Sequence, residues 1–173
     1  MKKLSIVFVL VGCILFSSAL AQQTTSTSTD TATINFVKKA AKGGLMEVAT
    51  GKLATTKASS SRVRSFGLQM VKDHSKANTQ LKQLAATKKI ALPAAPPNDP
   101  MLVQTKGADF DRDYVRMMVK DHEEDVAMFQ KAATSLPDPQ IRAFAAQTLP
   151  ILKEHLTMIK SIAADLHLSS GSE

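Results

Sequence analysis

Cysteine is almost missing. Cys13 is the only one in 173 residues, and it lies inside an apolar run near the N-terminus, so the chain beyond it can form no disulfide and no thiolate metal site. Tryptophan is absent, tyrosine occurs once, and aromatics make up 5% of the chain. Ala, Leu, Val and Met therefore supply most of the apolar surface, a mix that suits packed helices better than a sheet. Acidic residues are the minority, 15 against 22 basic ones. The lysines are dispersed and often sit beside acids, as in Lys72-Asp73 and Lys120-Asp121, which describes a solvated helix surface rather than a nucleic-acid-binding face. No segment after residue 21 is apolar over the roughly twenty residues a membrane-spanning helix needs, and no series of alternating strands suggests a barrel. Nucleophile elbow, phosphate loop and dinucleotide fingerprint are also missing. No catalytic residue stands out.

What is present begins with an export signal over residues 1–21. Met1-Lys2-Lys3 is a basic start, Leu4 to Phe16 is apolar, and Ala19-Leu20-Ala21 ends the segment in small residues. This predicts a periplasmic or secreted protein. Leu10-Val11-Gly12-Cys13 resembles the lipobox of bacterial lipoproteins, so an outer-membrane lipoprotein anchored through Cys13 is the alternative. The formal charge of +7 includes Lys2 and Lys3, and cleavage after Ala21 leaves a modest surplus that permits only weak attraction to an anionic envelope surface.

Residues 22–32 read as a Thr/Ser-rich tether with nothing to bury. Residues 33–168 carry four helical patterns, and 169–173 form a short polar tail. The first helix starts near Asp30 or Thr33 and places Phe36, Ala40, Gly43, Gly44, Glu47, Gly51 and Ala54 at helical steps. Each glycine costs roughly 1 kcal/mol relative to alanine. They either admit a close neighbouring helix or break the helix at Gly43-Gly44. Serines after Lys57 cap a second helix from about Ser60 to Thr87, with the stripe Val63, Phe66, Met70, His74, Ala77, Leu81 and Leu84. Pro93, Pro96, Pro97 and Pro100 then forbid helix through a long connection, which permits either an antiparallel neighbour or a crossover. The third helix starts near Asp109 or Phe110 and ends at Leu136-Pro137. Asp138-Pro139 starts the fourth, which contains Pro150. The expectation is an all-α four-helix bundle with a proline-rich connection between helices two and three.

His74, His122 and His155 fall on the apolar stripes of helices two, three and four, and Glu47 takes the equivalent place on helix one. Each is near the middle of its helix, so all four should share one layer whichever way the helices run. Asp125, three residues after His122, can approach the same layer. Imidazole and carboxylate donors from separate helices are the means by which a bundle holds iron, zinc, manganese or copper. The same layer can instead be a hydrogen-bonded polar network that fixes helix register. Asp73, Asp121 and Glu154 precede the histidines and face away from them, as surface or supporting groups. The positions three before the histidines are Val71, Val119 and Leu152, so the Glu-x-x-His pairs of a di-iron centre are missing. The methionines read as core filling.

Several segments together resemble the domain-of-unknown-function family 4142, whose members are often labelled putative outer membrane proteins. They are Phe36 to Val48, Gly51 to Ala54, Met70-Val71-Lys72-Asp73-His74, Phe110 to Tyr114, Met118-Val119-Lys120-Asp121-His122 and Leu149 to Leu156. The resemblance implies an envelope-associated helical bundle grouped with ferritin-like proteins, and no established reaction. Its polar signature falls on Glu47, His74, His122 and His155. The leading expectation is a non-enzymatic structural or binding bundle without a cofactor. The alternative is a metal-binding or redox protein using Glu47, His74, His122, Asp125 and His155. A third is a partner-binding or self-associating bundle with an uncovered apolar strip; the sequence names no partner.

Overall fold

The structure is a computed structural model that describes residues 29–95 and 99–168. The expected export signal with Cys13, most of the tether and the 169–173 tail lie outside these residues. The described chain is all α: α1 Thr31–Lys57, α2 Ser61–Thr87, α3 Pro100–Gln104, α4 Gly107–Ser135 and α5 Pro139–Asp165. None of these helices is long and apolar enough to cross a membrane.

Local chemistry sets the boundaries. The Asp30 carboxylate accepts the Thr33 N–H at 2.9 Å and caps α1, which therefore opens two residues ahead of residue 33. Ser60 caps α2 by accepting from the Val63 N–H. Asp138 accepts the Gln140 and Ile141 N–H groups, both at 3.0 Å, with Pro139 at the first helical position. The same pairing of cap and proline makes α3: Asp99 accepts from the N–H groups of Met101 and Leu102 ahead of Pro100. The connection thus contains one short helix that proline spacing alone did not indicate. α1 runs unbroken through Gly43 and Gly44, and α5 runs unbroken through Pro150.

Pairings at the helix ends settle the direction of the connection. Ala58, after α1, bridges Gly107 at the start of α4. The Asp111 carboxylate accepts the Ser60 N–H at 2.8 Å and the Ser59 hydroxyl. At the other end, Phe36 of α1 meets Phe129 of α4 edge-on at 5.1 Å. Arg62 at the start of α2 pairs with Asp165 at the end of α5, and Lys88 after α2 donates to Gln140 at the start of α5 at 2.9 Å. α1 is therefore antiparallel to both α2 and α4, α5 is antiparallel to α2 and α4, and α2 runs parallel to α4. Residues 88–106 are a crossover along the bundle, a distance of about 40 Å for helices of this length. Lys57 fastens its far end by donating to the Thr105 carbonyl at 3.1 Å.

Two apolar cores fill the interior. Phe36, Val37, Leu81, Phe129, Ile141 and Phe144 build one. Val63, Phe66, Met70, Phe110, Tyr114 and Ile159 belong to the other. Glu47, His74, His122 and His155 are buried as well, at the mid-height positions between these two apolar halves. α1 and α2 approach closely at Gly51 and Gly67: a Cβ on Gly67 would lie 2.7 Å from Ala54 Cβ and 2.8 Å from the Gly51 carbonyl oxygen. Backbone cannot yield there as a flexible side chain would. Gly67→Ala is therefore expected to destabilise the protein by about 1–3 kcal/mol in chemical denaturation through overpacking, despite alanine's better helix propensity. A stabilised variant would show that the two helices can part freely.

Candidate metal centre

The site forms because four helices each place one polar side chain at mid-height on a buried stripe. Glu47 is 1% exposed, His122 0%, His155 1% and His74 6%. The ring centroids of His74 and His122 are 5.8 Å apart, those of His74 and His155 5.3 Å, and those of His122 and His155 5.5 Å. One ring nitrogen from each of the three histidines lies within 4.8 Å of the others. Phe66 covers this group with its ring, meeting His122 at 6.1 Å and His155 at 6.3 Å.

Hydrogen bonds fix which nitrogen is free on two of the three rings. His122 Nδ1 lies 2.9 Å from the Met118 carbonyl oxygen; a carbonyl only accepts, so Nδ1 donates. Burial holds the His122 pKa below its ordinary value against the pull of Glu47, so the ring is neutral and Nε2 carries a lone pair. His155 Nε2 lies 2.9 Å from Asp73 Oδ2. Asp73 is itself braced by the Gln69 amide, which donates to the same oxygen at 2.6 Å. Partial burial pushes Asp73 up, but the hydrogen bonds from His155 and Gln69, with nearby positive charge, together hold it below the usual carboxylate range. Burial pushes His155 down to about 4, only partly offset by Asp73. His155 is therefore a neutral ring that donates from Nε2 and leaves its buried Nδ1 lone pair without a partner.

Glu47 and His74 form the charged pair. Their Oε2 and Nδ1 atoms are 2.8 Å apart, although the contact is out of line for a well-directed hydrogen bond. Burial disfavours both charges, but their mutual attraction wins: His74 is raised and Glu47 is lowered from their ordinary values. The other Glu47 oxygen faces His122 Nε2 at 3.5 Å. Two acceptors thus face each other inside the protein with no hydrogen between them. Glu47 Oε1, His74 Nε2, His122 Nε2 and His155 Nδ1 are all buried without a hydrogen-bond partner, and buried polar atoms are rarely left so.

Asp125 does not join the triad. It lies near α1, where its Oδ2 would be 3.9 Å from a Cβ on Gly43, and lines a small cavity with Glu47, His74, Asn78 and Thr148. Asp73 supports a histidine, but one on α5 rather than the His74 that follows it in sequence. Asp121 has one buried oxygen without a partner, and burial followed by the charge of Glu47 raises its pKa to about 6. Tyr114 is fully buried with an unpartnered hydroxyl. Its position in the Phe110 to Tyr114 segment carries no sign of that.

Fold and site together define an all-α bundle with a buried His/Glu cluster that resembles a metal-binding site. The chain belongs to the family described as domain of unknown function (DUF4142), whose profile matches residues 17–162. Among solved structures, its fold is similar to that of "CopM in the Cu(I)-bound form", with a TM-score of 0.67 at 15% identity, covering 77% of this chain and 96% of that chain. No curated protein matches the sequence.

Asp125 gives the site a pH signature. Burial and the charge of Glu47 raise its pKa from 3.8 to about 7. The folded state therefore binds a proton more tightly there than the unfolded state. The stability cost of the charged form is absent near pH 4, grows as pH rises and is complete above about 7. Asp125→Asn removes that charge, so the metal-free variant is expected to melt above the wild type at pH 8, with the gap closing toward pH 4. A gap that does not change with pH would contradict this assignment.

Proposed function

We propose that this protein is an exported metal-binding bundle that holds one transition-metal ion between His74, His122 and His155, with Glu47 at the edge of the site. The observation that carries this reading is that three buried histidines come together, each with a ring nitrogen that lacks a hydrogen-bond partner. A purely structural polar network should satisfy its own members, since a partly satisfied one costs stability. For His122 and His155 a hydrogen bond holds one ring nitrogen and leaves the other without a partner, the usual arrangement around a metal-ligating histidine.

The donor set narrows the metal. Three imidazoles favour copper or zinc over manganese, which prefers oxygen donors. The missing Glu-x-x-His pairs argue against a paired iron centre. Neutral nitrogen ligands and a water-poor surrounding suit Cu(I), and the structurally similar protein captured with Cu(I) makes copper the first ion to test. Bonds of about 2 Å to a shared ion bring ligand nitrogens to roughly 3.5 Å apart, so side-chain rotation must contract the triad by about 1 Å. His74 must give up its proton to bind, so uptake should release about one proton. Its export follows from the signal at residues 1–21, and attachment through Cys13 remains the alternative placement.

Untagged protein titrated anaerobically with Cu(I) against a chromophoric chelator is expected to bind one equivalent. His122→Gln should weaken binding at least 100-fold with unchanged helix content. Asp73→Asn, which loosens the support of His155, should weaken it about 10–100-fold. Absence of stoichiometric binding of both Cu(I) and Zn(II), or full affinity in His122→Gln, would reject the proposal.

A further inference from the structure

Charge is divided unequally between the two helical hairpins. α1 and α2 together carry ten lysines and arginines against two carboxylates, whereas α4 and α5 carry seven against nine. Both carboxylates of the first hairpin serve the interior: Glu47 pairs with His74, and Asp73 pairs with His155. Asp73 is thus committed to α5 and not to Lys72 beside it in sequence. No exposed acid is left on α1 or α2.

Lys38, Lys42 and Lys52 of α1 and Lys72, Lys76 and Lys82 of α2 are exposed. At about 100° of turn per residue they lie on the sides facing away from the buried stripes. None of them forms an ion pair among the described residues. Gly51 abuts Gly67 and Gly44 abuts Asn78, a register that puts Lys38 level with Lys82 and Lys52 level with Leu68. The result is one basic face, about 20 Å long from Lys38 to Lys52. Leu68, 61% exposed, stands on it.

The chemistry of this face selects its partner. Several lysines spread over a broad surface are drawn together to anionic headgroups, and an exposed leucine among them can enter the headgroup layer. A single-stranded nucleic acid needs rings to stack on, and every aromatic ring of the described residues is buried. A second copy would have to offer free acids. Those exposed on the other hairpin are largely engaged: Glu123 holds Lys160 at 2.6 Å, Asp109 holds Arg112 at 2.9 Å, and Asp165 takes Arg62.

We infer that the outer face of the α1–α2 hairpin is a docking surface for a bilayer with anionic phospholipid headgroups, both helices lying along the membrane plane. This surface is independent of the proposed metal function.

Co-sedimentation with vesicles tests it, using processed protein that carries Cys13→Ser so that no lipid anchor contributes. At about 50 mM salt the protein is expected to bind vesicles of phosphatidylglycerol and phosphatidylethanolamine but not pure phosphatidylcholine, and to dissociate at about 0.5 M salt. Lys42→Glu combined with Lys72→Glu should weaken binding at least tenfold with unchanged helix content and melting temperature. The corresponding glutamine pair serves if charge reversal disturbs the fold. Lys120→Glu combined with Lys131→Glu alters the net charge equally on α4, and should leave binding within about threefold of wild type. Leu68→Ser should weaken it by a smaller factor, about two- to fivefold. Absence of binding to anionic vesicles at low salt, equal loss in the two charge-reversed pairs, or undiminished binding to phosphatidylcholine would overturn the inference. So would tighter binding to duplex or single-stranded DNA than to the vesicles at the same salt, or low-salt dimerisation that the Lys42 and Lys72 changes abolish.

Discussion

A carboxylate buried among three imidazoles governs the middle of this bundle. Removing an ion from water costs several kcal/mol even after the protein relaxes, and Glu47 recovers that chiefly through His74. The pair leaves lone pairs facing lone pairs at 3.5 Å. Apolar cores above and below, built around Phe36, Phe129 and Phe144 on one side and Phe66, Met70 and Tyr114 on the other, enclose that arrangement. The waist of the molecule is therefore its least satisfied layer and its most chemically pointed one.

The surrounding fold serves to hold that layer in place. The crossover makes α2 and α4 parallel, so their histidines lie on opposite corners of the bundle while α1 and α5 bring Glu47 and His155 between them. Close contact at Gly51 and Gly67 draws α1 against α2, which sets His74 beside Glu47. Asp111 pins the α1–α2 turn to the base of α4. Gln69 and Asp73 orient His155 from the partly solvated side of α2. Each of these supports acts on the position of a ring nitrogen without standing in the site.

Much of this was legible in the sequence because helical periodicity and capping are local. The apolar stripes located the four long helices, and Asp138-Pro139 announced α5 as plainly as any cap can. Centrally placed Glu47, His74, His122 and His155 were bound to share a layer in either topology. The direction of the crossover was not legible, since a proline-rich segment of that length joins neighbouring or diagonal helices equally well. α3 carried the same Asp-Pro signal as α5, at Asp99-Pro100, but the surrounding prolines obscured it. Asp73 was recognisable as a supporting acid, yet its partner belongs to α5, because neighbouring residues on a helix point to different sides. Asp125 sits at the correct height but turns toward α1 and the cavity, a matter of helix rotation that spacing alone leaves open.

X-ray absorption at the copper edge of protein loaded with one equivalent of Cu(I) tests the central claim most directly. The account predicts a shell of about three nitrogen scatterers near 2 Å, with the outer-shell pattern of imidazole, diminished by one ring in His155→Gln. A first shell dominated by sulfur, or one free of imidazole scattering, would contradict it.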